Sequence, residues 1–391
     1  METTIPAPSN GQKTGTPVEL DSRRMADLLK RIAEAAAQTD DDKLFPTDAF
    51  GWLAEAGLLG ITLADDKTGK QPLGTDQLLQ LLKRIGAANL SVGRIYEGHI
   101  NALNLIDLYA SPDQKREWFA DVKKHKRLFS VWNTQAGDGV KIQAVGDGRY
   151  RLEGAKTFCS GAGWIQRPLI TGELVGGSQK GWQMCIIPTE RVKDVQQDDR
   201  FWQPLGMRSS VSYRIDFTGI EIEQADLLGQ PDDYYRQPYF SGGAIRFAAV
   251  QLGGAEALFD ATRTYLASMK RTDDVFQRTR LAEMTWLIES GNQWLTAAGT
   301  KTDAWQASGG QADKIVTYAN MTRTAIEEIC LRVMPLAERS VGARGLMRPL
   351  PFERIHRDLT FYLRQPAPDA TLLDVGRYVT DNQLDAYELW R

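Results

Sequence analysis

The chain has 391 residues, of which 42% are hydrophobic and 25% charged, a composition typical of a folded globular protein of two or three domains. Its formal net charge is −3, and no apolar run approaches the roughly 20 residues that a membrane span requires. These values favour neither a nucleic acid nor a membrane as a partner.

The cysteines and histidines argue against a disulfide framework and against a metal site. Cys159, Cys185 and Cys330 are scattered and odd in number, which favours a reducing cytoplasm. Neither they nor the three histidines have metal-ligand spacing. We therefore expect a cytoplasmic protein without a metal.

The first part of the chain predicts a leader followed by helices. Residues 1–20 are polar and rich in Pro, Gly and Thr, which indicates a disordered leader. Residues 21–127 contain apolar residues at helical spacing, as in MADLLKRIAEAAAQ and TDQLLQLLKRIGAA. Ser111 and Pro112 form a strong start signal for a further helix.

The pattern changes to strands in residues 128–237. Short segments such as RLFSVWN, RYRLEG, PLITGEL and GWQMCIIP are rich in β-branched and aromatic residues and separated by Gly, Asp and Asn. This part predicts an antiparallel β domain. Helices return in residues 238–391, beginning with a long segment, GGAIRFAAVQLGGAEALFDATRTYLASMK, which is apolar on most sides. The fold class is therefore a multi-domain α+β protein.

Four colinear motifs carry a resemblance to a known family. FPTDAFGWLAEAGLLGI is similar to F-P…L-A-E-x-G-L-L-G-I, and LEGAKTFCSGAG to L-N-G-x-K-x-W-I-T-N-G. PLGMRSSVSYRIDFTGIEIEQADLLG and RSVGARGLMRPLPFERIHRDL match two later motifs in the same order. The chain resembles the acyl-CoA dehydrogenase superfamily. This resemblance implies an N-terminal helical domain, a middle β-barrel and a C-terminal four-helix bundle, with FAD between barrel and bundle.

The resemblance implies which residues contact the flavin. Phe158 and Ser160 replace the aromatic residue and the hydroxyl of W-I-T, which lie beside the flavin ring in the family. The first barrel strand would contribute backbone and side-chain groups from Val131, Trp132, Asn133 and Thr134.

Further flavin contacts are expected in two segments of the C-terminal bundle, residues 271–276 and 339–345. Gly342 and Gly345 match the GG-x-G turn, whose second glycine is Ala343 here. Arg339 replaces the family's glutamine, and its guanidinium suits a pyrophosphate. Arg271 and Phe276 stand in for the adenosine-binding R-x-x-F-G in a segment several residues shorter. FAD is thus the expected cofactor and FMN the alternative. Because these family contacts cross subunits, the resemblance implies a homodimer or homotetramer.

The residue that the family uses as its base is missing from both usual positions. In most members a glutamate, nine residues after the Arg of R-D-A, removes the α-proton of an acyl thioester. That position is Pro366 in this sequence. In other members the glutamate precedes an arginine on the first bundle helix, and here Ile245 precedes Arg246.

Three interpretations remain open. In the first, the base has moved, and Asp369 and Glu97 are the candidates. In the second, the protein is a flavin-dependent monooxygenase of the same fold, which needs no such base and for which His99 and Ser160 are the candidates. In the third, the protein binds flavin or acyl-CoA with little turnover. In each of the first two, the protein is an oxidoreductase acting on an acyl thioester or a related small organic molecule. Arg246 is the candidate for binding a substrate carboxylate or phosphate.

Overall fold

The computed structural model describes residues 19–64, 71–177, 179–191 and 195–391. The predicted leader, 1–20, lies outside the described residues except for its last two. In the described ranges the first helices are α1 (Arg23–Ala35), α2 (Thr47–Glu55), α3 (Thr75–Ala88), α4 (Leu90–Tyr109) and α5 (Pro112–Lys123). The strands are β1 (Phe129–Trp132), β2 (Gln135–Gly146), β3 (Arg149–Cys159), β4 (Arg167–Val175), β5 (Gly181–Ile186), β6 (Gln196–Asp198), β7 (Tyr213–Asp216), β8 (Glu221–Glu223) and β9 (Leu227–Leu228). The last helices are α6 (Ala244–Ser268), α7 (Val275–Ser308), α8 (Ala312–Gly345), α9 (Phe352–Tyr362), α10 (Pro368–Asp381) and α11 (Ala386–Leu389).

The predicted start of α5 is confirmed by its capping contacts. The Ser111 hydroxyl accepts a hydrogen bond from the backbone N–H of Gln114 at 3.3 Å. The Gln114 side chain accepts one from the backbone N–H of Ser111 at 3.0 Å. Pro112 occupies the first helical position, where its missing N–H costs no hydrogen bond.

The middle sheet differs from the prediction in two respects. Its strand order is β6-β7-β3-β2-β4-β5-β9, with β1 paired to β4 and β8 to β3. This path ends at β6 and β9, so the sheet is not closed into the expected barrel. Both β1 and β2 pair with β4 in parallel, and the sheet is therefore mixed rather than antiparallel. Side-chain periodicity carries no information on strand direction, which explains the second difference.

The first and last groups of helices pack tightly against each other through glycines. A Cβ atom added to Gly253 of α6 would lie 2.0 Å from the carbonyl oxygen of Lys83 on α3. One added to Gly86 would lie 2.4 Å from the carbonyl oxygen of Val250. Only glycine permits this approach of the two backbones. The crossing also brings α4, which follows α3, alongside the first turns of α6.

The predicted C-terminal bundle consists of the three long helices α6, α7 and α8, with α9 against α6. Gln251 of α6 donates a hydrogen bond to the carbonyl oxygen of Tyr362 at 2.8 Å. After α9 the chain turns at Pro366, and Pro368 begins α10 at its first position. Only residues 363–367 separate α9 from α10.

Candidate active site

A cavity of about 450 Å³ lies where α4, β1, α6 and the loop 363–367 meet. This volume falls within the range of small-molecule sites. The cavity brings together five of the predicted site residues: Glu97, Val131, Asn133, Thr134 and Arg246.

A polar stripe on the otherwise apolar helix α4 forms one wall of the cavity. Arg94, Glu97 and Asn101 repeat at helical spacing, and all three line the cavity. The two carboxylate oxygens of Glu97 accept hydrogen bonds from Arg94 Nη1 at 3.2 Å and from Arg246 Nε at 3.3 Å. Arg246 Nη2 donates to Asn101 Oδ1 at 2.6 Å. Glu97 is thus held between two guanidinium groups.

Gly243 allows the Arg246 guanidinium to lie against the start of α6. A Cβ atom at position 243 would lie 2.6 Å from Arg246 Nη2, a distance that real Cβ contacts do not show. The absence of a side chain here is therefore a condition for the bonds from Arg246 to Glu97 and Asn101.

Strand β1 and the residues just after it form the opposite wall. Val131 and Asn133 line the cavity, whereas Trp132 between them is buried on the other side, as strand periodicity requires. The Thr171 hydroxyl donates a hydrogen bond to Asn133 Oδ1 at 2.6 Å. Because this bond occupies the amide oxygen, it orients the Asn133 NH₂ group as the free donor.

Lys156 supports Asn133 from below. Its ammonium group is buried and donates to the Asn133 carbonyl oxygen at 3.1 Å, to Gln135 Oε1 at 2.8 Å and to the Thr171 hydroxyl at 3.1 Å. Burial lowers the pKa of Lys156 to about 8. Within the described ranges the ammonium has no carboxylate partner. Lys156 therefore adds a positive charge behind Asn133 that no carboxylate of the described residues pairs with.

Phe158 presents an exposed ring next to β1. The ring is 45% exposed, and its edge contacts Trp202 with an interplanar angle of 87°. The N–H of the preceding residue, Thr157, donates to the Thr134 carbonyl oxygen at 3.0 Å. Phe158 has a φ of 54°, which is strained for an aromatic residue. Such strain next to an exposed aromatic ring is typical of a ligand-contacting position.

Ser160 and Trp132 lie behind this wall and do not line the cavity. Trp132 Nε1 donates to the Ser160 carbonyl oxygen at 3.0 Å. The buried Ser160 hydroxyl forms a 2.9 Å hydrogen bond with the Ser212 hydroxyl. Both residues therefore brace the strands, and the predicted catalytic candidate Ser160 does not offer its hydroxyl to the cavity.

The catalytic candidate His99 has a structural role. It is buried, its Nδ1 accepts a hydrogen bond from Phe129 N–H at 3.0 Å, and its Nε2 lies 2.8 Å from the Leu59 carbonyl oxygen. Burial lowers its pKa to about 4, so the ring is neutral and Nε2 carries the donated proton. Neither nitrogen remains for a ligand, and His99 is not a lining residue.

The loop 363–367 is fixed in place but brings no carboxylate to the cavity. Arg323 Nη2 donates to the Pro366 carbonyl oxygen at 3.1 Å, and its Nη1 lies 3.3 Å from the Thr371 hydroxyl. The candidate base Asp369 is exposed in the first turn of α10 and does not line the cavity. Because Pro368 starts a helix, Asp369 belongs to α10 and not to the loop.

Tyr362 contributes a buried hydroxyl that has no hydrogen-bond partner in the described part of the chain. It belongs to the lining, and burial raises its pKa, with the nearby Glu97 charge acting in the same direction. The phenol therefore keeps its proton.

The remaining predicted residues lie at the far end of the bundle. Arg271 and Phe276 flank the α6–α7 turn, and Phe276 is 70% exposed. With its amide oriented to satisfy its neighbours, Gln277 lies 3.3 Å from Arg271 Nη2 and 3.0 Å from the Ser340 hydroxyl. The same end of α8 carries the exposed residues Arg339, Gly342 and Ala343. Arg271 and Phe276 thus lie beyond the opposite end of α6 from the cavity, and this helix of 25 residues is roughly 37 Å long.

Sequence reasoning missed Arg94, Asn101, Arg323 and Tyr362. The first two had a detectable signal, because Arg94, Glu97 and Asn101 form a polar stripe on an apolar helix. Arg323 and Tyr362 had none, since their place in the lining depends on how α8 and α9 pack.

Two further features of the described residues limit the type of site. No group of three or more His, Cys, Asp or Glu side chains lies close enough to hold a metal ion. No helix that the structure describes has the length and apolar character needed to cross a membrane.

The chain belongs to the acyl-CoA dehydrogenase superfamily. The model of the acyl-CoA dehydrogenase N-terminal domain matches residues 23–125, and that of the C-terminal domain matches residues 245–363. Together they match more than half of the 391 residues. The predicted class, a flavin-dependent oxidoreductase of acyl-CoA dehydrogenase type, is confirmed at the level of the family.

Relatives with two different reactions match over most of their length. The mitochondrial isobutyryl-CoA dehydrogenase of Dictyostelium discoideum is 22% identical, with 94% of this chain and 89% of the relative covered. The dibenzothiophene monooxygenase of Rhodococcus erythropolis is 24% identical, with 85% and 86% covered. The structure of TdsC from Paenibacillus sp. A11-2 with FMN and indole is similar with a TM-score of 0.82, at 18% identity, over 95% of this chain and all of TdsC.

Proposed function

We propose that the cavity is the substrate site of a flavin-dependent oxidoreductase, with the flavin ring against β1 and the Phe158 ring. The fit is supported by the exposed ring of Phe158, whose backbone is strained. Next to it, the residues that follow β1 offer the Asn133 NH₂ group and the Thr134 hydroxyl. A bound flavin supplies two-electron transfer. The chain itself orients Asn133 through Thr171 and Lys156 and holds the substrate beside Glu97 and Arg246.

We propose FAD as the cofactor, following the family, with FMN as the alternative because TdsC contains FMN. Arg271, Phe276, Arg339, Gly342 and Ala343 would contact the flavin of a second copy. Their exposure and their distance from the cavity of their own chain support this assignment. The proposal therefore includes a homodimer or homotetramer.

Within this class we propose monooxygenation of a small organic molecule as the reaction. The observation that carries it is the loop 363–367, where Pro366 takes the place of the family's base and which itself brings no carboxylate to the cavity. The relocated candidate Asp369 is exposed and does not line the cavity. Oxygenation needs no protein base at this place, and a same-fold monooxygenase is among the relatives.

Dehydrogenation of an acyl thioester is the second candidate, and Glu97 favours it. Glu97 is the one buried carboxylate among the described lining residues. To act as a base it must exchange one of its arginine contacts for the substrate, because both of its oxygens are bonded. The isobutyryl-CoA dehydrogenase relative supports this alternative.

One pair of measurements separates the two reactions. The flavin-loaded protein is mixed anaerobically with a panel of acyl-CoAs, and flavin absorbance is followed. We expect no bleaching, but oxygen consumption once NADH-reduced flavin and a substrate are supplied. Bleaching that disappears in Glu97→Gln would establish dehydrogenation instead. A purified protein that binds no flavin would refute both reactions.

We propose the cytoplasm as the location, because all three cysteines are free and buried. The divisions at 127/128 and 237/238 remain our proposed domain boundaries. They fall between the helical and strand groups.

A further inference from the structure

The cavity wall carries more positive than negative charge. Among its described lining residues are three arginines, Arg94, Arg246 and Arg323, and two carboxylates, Glu97 and Asp374. Asp374 lies at the exposed edge of the lining, where Arg377, which is not a lining residue, pairs with it at 3.1 Å. Apart from the exposed Asp374, the described lining therefore has three guanidinium groups and one carboxylate, Glu97, which Arg94 and Arg246 contact.

The inner guanidinium groups also have unused donors. Arg246 bonds Glu97 and Asn101 through Nε and Nη2, and its Nη1 has no acceptor among the described residues. Arg94 bonds Glu97 through Nη1, and its Nε and Nη2 have no acceptor there. Arg323 uses Nη1 and Nη2, which leaves Nε free.

These donors are held in a partly dehydrated place. The Arg246 side chain is 13% exposed, and burial lowers the pKa of Arg323, against which the charge of Glu327 acts. Burying a charge without a partner is costly, and an anionic ligand would remove that cost. Guanidinium groups bind carboxylate, sulfonate and phosphate oxygens through the same forked geometry.

We propose that the substrate of this cavity is a small organic anion, whose charged group binds Arg246 with Arg94 and Arg323 nearby. This inference rests on the proposed function, in that it names the substrate class of the same site. The inference goes beyond the predicted role of Arg246 alone, because the excess of three lining guanidinium groups over two carboxylates favours an anionic ligand. Carboxylates, sulfonates and phosphate monoesters share the required chemistry, so the experiment must distinguish them.

The test is calorimetric titration of the flavin-loaded protein with butanoate, butanesulfonate and butyl phosphate, each compared with neutral butanamide. We expect at least one anion to bind tenfold or more tightly than butanamide. In Arg246→Met that anion should bind at least tenfold more weakly, since a charge-assisted hydrogen bond is lost. Arg332→Met removes an exposed arginine paired with Glu283 and should leave the affinity unchanged.

Arg323→Met provides a second variant if Arg246→Met does not fold, and we expect a several-fold loss of anion affinity. Butanamide binding as tightly as all three anions would refute the proposal. So would release of the flavin by the anion, because the arginines would then serve the cofactor phosphate. The titration requires no turnover, so its failure leaves the redox measurements intact. A failure of those measurements likewise leaves the binding result standing.

Discussion

The cavity wall and the far end of the bundle are both rich in arginine, but they are built differently. At the cavity, Arg246 is 13% exposed and engaged by Glu97 and Asn101 of the same chain. At the far end, Arg271 is 49% exposed, and its ion pair within the described residues is with its near neighbour Asp274 at 3.4 Å. The first region is preorganised within one chain, whereas the second offers its groups outwards. Substitutions at the cavity should therefore change the stability of the chain, whereas those at the far end should leave it almost unchanged.

The largest effect should come from removing the carboxylate that joins the cavity arginines. Glu97→Leu leaves two guanidinium groups facing each other, and we expect the free energy of unfolding to fall by about 3 kcal/mol, the lower end for a buried pair. Arg94 keeps 28% of its side chain exposed, which moderates the loss. Denaturant titration measures it.

The exposed Glu283–Arg332 pair provides the matched control for this comparison. Glu283→Leu should change stability by less than about 0.5 kcal/mol. Equal losses in both variants would show that Glu97 contributes no more to stability than the carboxylate of an exposed ion pair.

A second test uses Asp358, which joins α9 to the segment between β6 and β7 by accepting a hydrogen bond from Met207 N–H at 2.5 Å. Burial raises the pKa of Asp358 to about 6, against which Arg354 acts. The folded state therefore holds this proton more tightly than the unfolded state. The stability that it contributes is present below pH 4 and is lost as the pH rises through about 6.

We expect the stability of the protein relative to Asp358→Asn to fall by about 2 kcal/mol between pH 4 and pH 7. Thr360→Val on the same helix removes a buried hydroxyl that does not titrate in this range, and its difference from the parent protein should not depend on pH. A pH-independent difference for Asp358→Asn would contradict the assignment.

A smaller effect distinguishes two buried tyrosines. The Tyr362 hydroxyl has no partner among the described residues, whereas the Tyr96 hydroxyl donates to the Leu58 carbonyl oxygen at 2.7 Å. Tyr362→Phe should therefore leave stability unchanged or raise it by about 1 kcal/mol, and Tyr96→Phe should lower it by about 1 kcal/mol. Thermal unfolding of the ligand-free protein compares them. A loss for Tyr362→Phe equal to that for Tyr96→Phe would mean that its hydroxyl is satisfied.

The smallest effect on stability is expected at the far end of the bundle. Phe276→Ser removes a ring that is 70% exposed, so unfolding should change by less than about 0.5 kcal/mol. If a second copy's flavin covers this ring, the purified variant should carry less flavin. Tyr387→Ser, at a site that is 72% exposed, is the control and should retain its flavin. Unchanged flavin content in both would remove Phe276 from the proposed cofactor contacts.

Local signals in the sequence predicted the helices well and the site partly. The Ser111–Pro112 start and the apolar periodicity of α3 and α6 predicted elements that the structure contains. Strand pairing could not be predicted, because it depends on contacts between distant segments. The positions of His99 and Ser160 depend on the same kind of contact: each was a reasonable polar candidate until its hydrogen bonds to Leu59 and Ser212 were known.

The contact between Gly243 and Arg246 has a consequence for how this site can change. A methyl group at position 243 would push the guanidinium away from its bonds to Glu97 and Asn101. A single-base change from glycine to alanine could therefore rearrange the charged wall without altering any charged residue. Among close homologues, any residue other than glycine at this position would then mark a change in the ligand that the enzyme accepts.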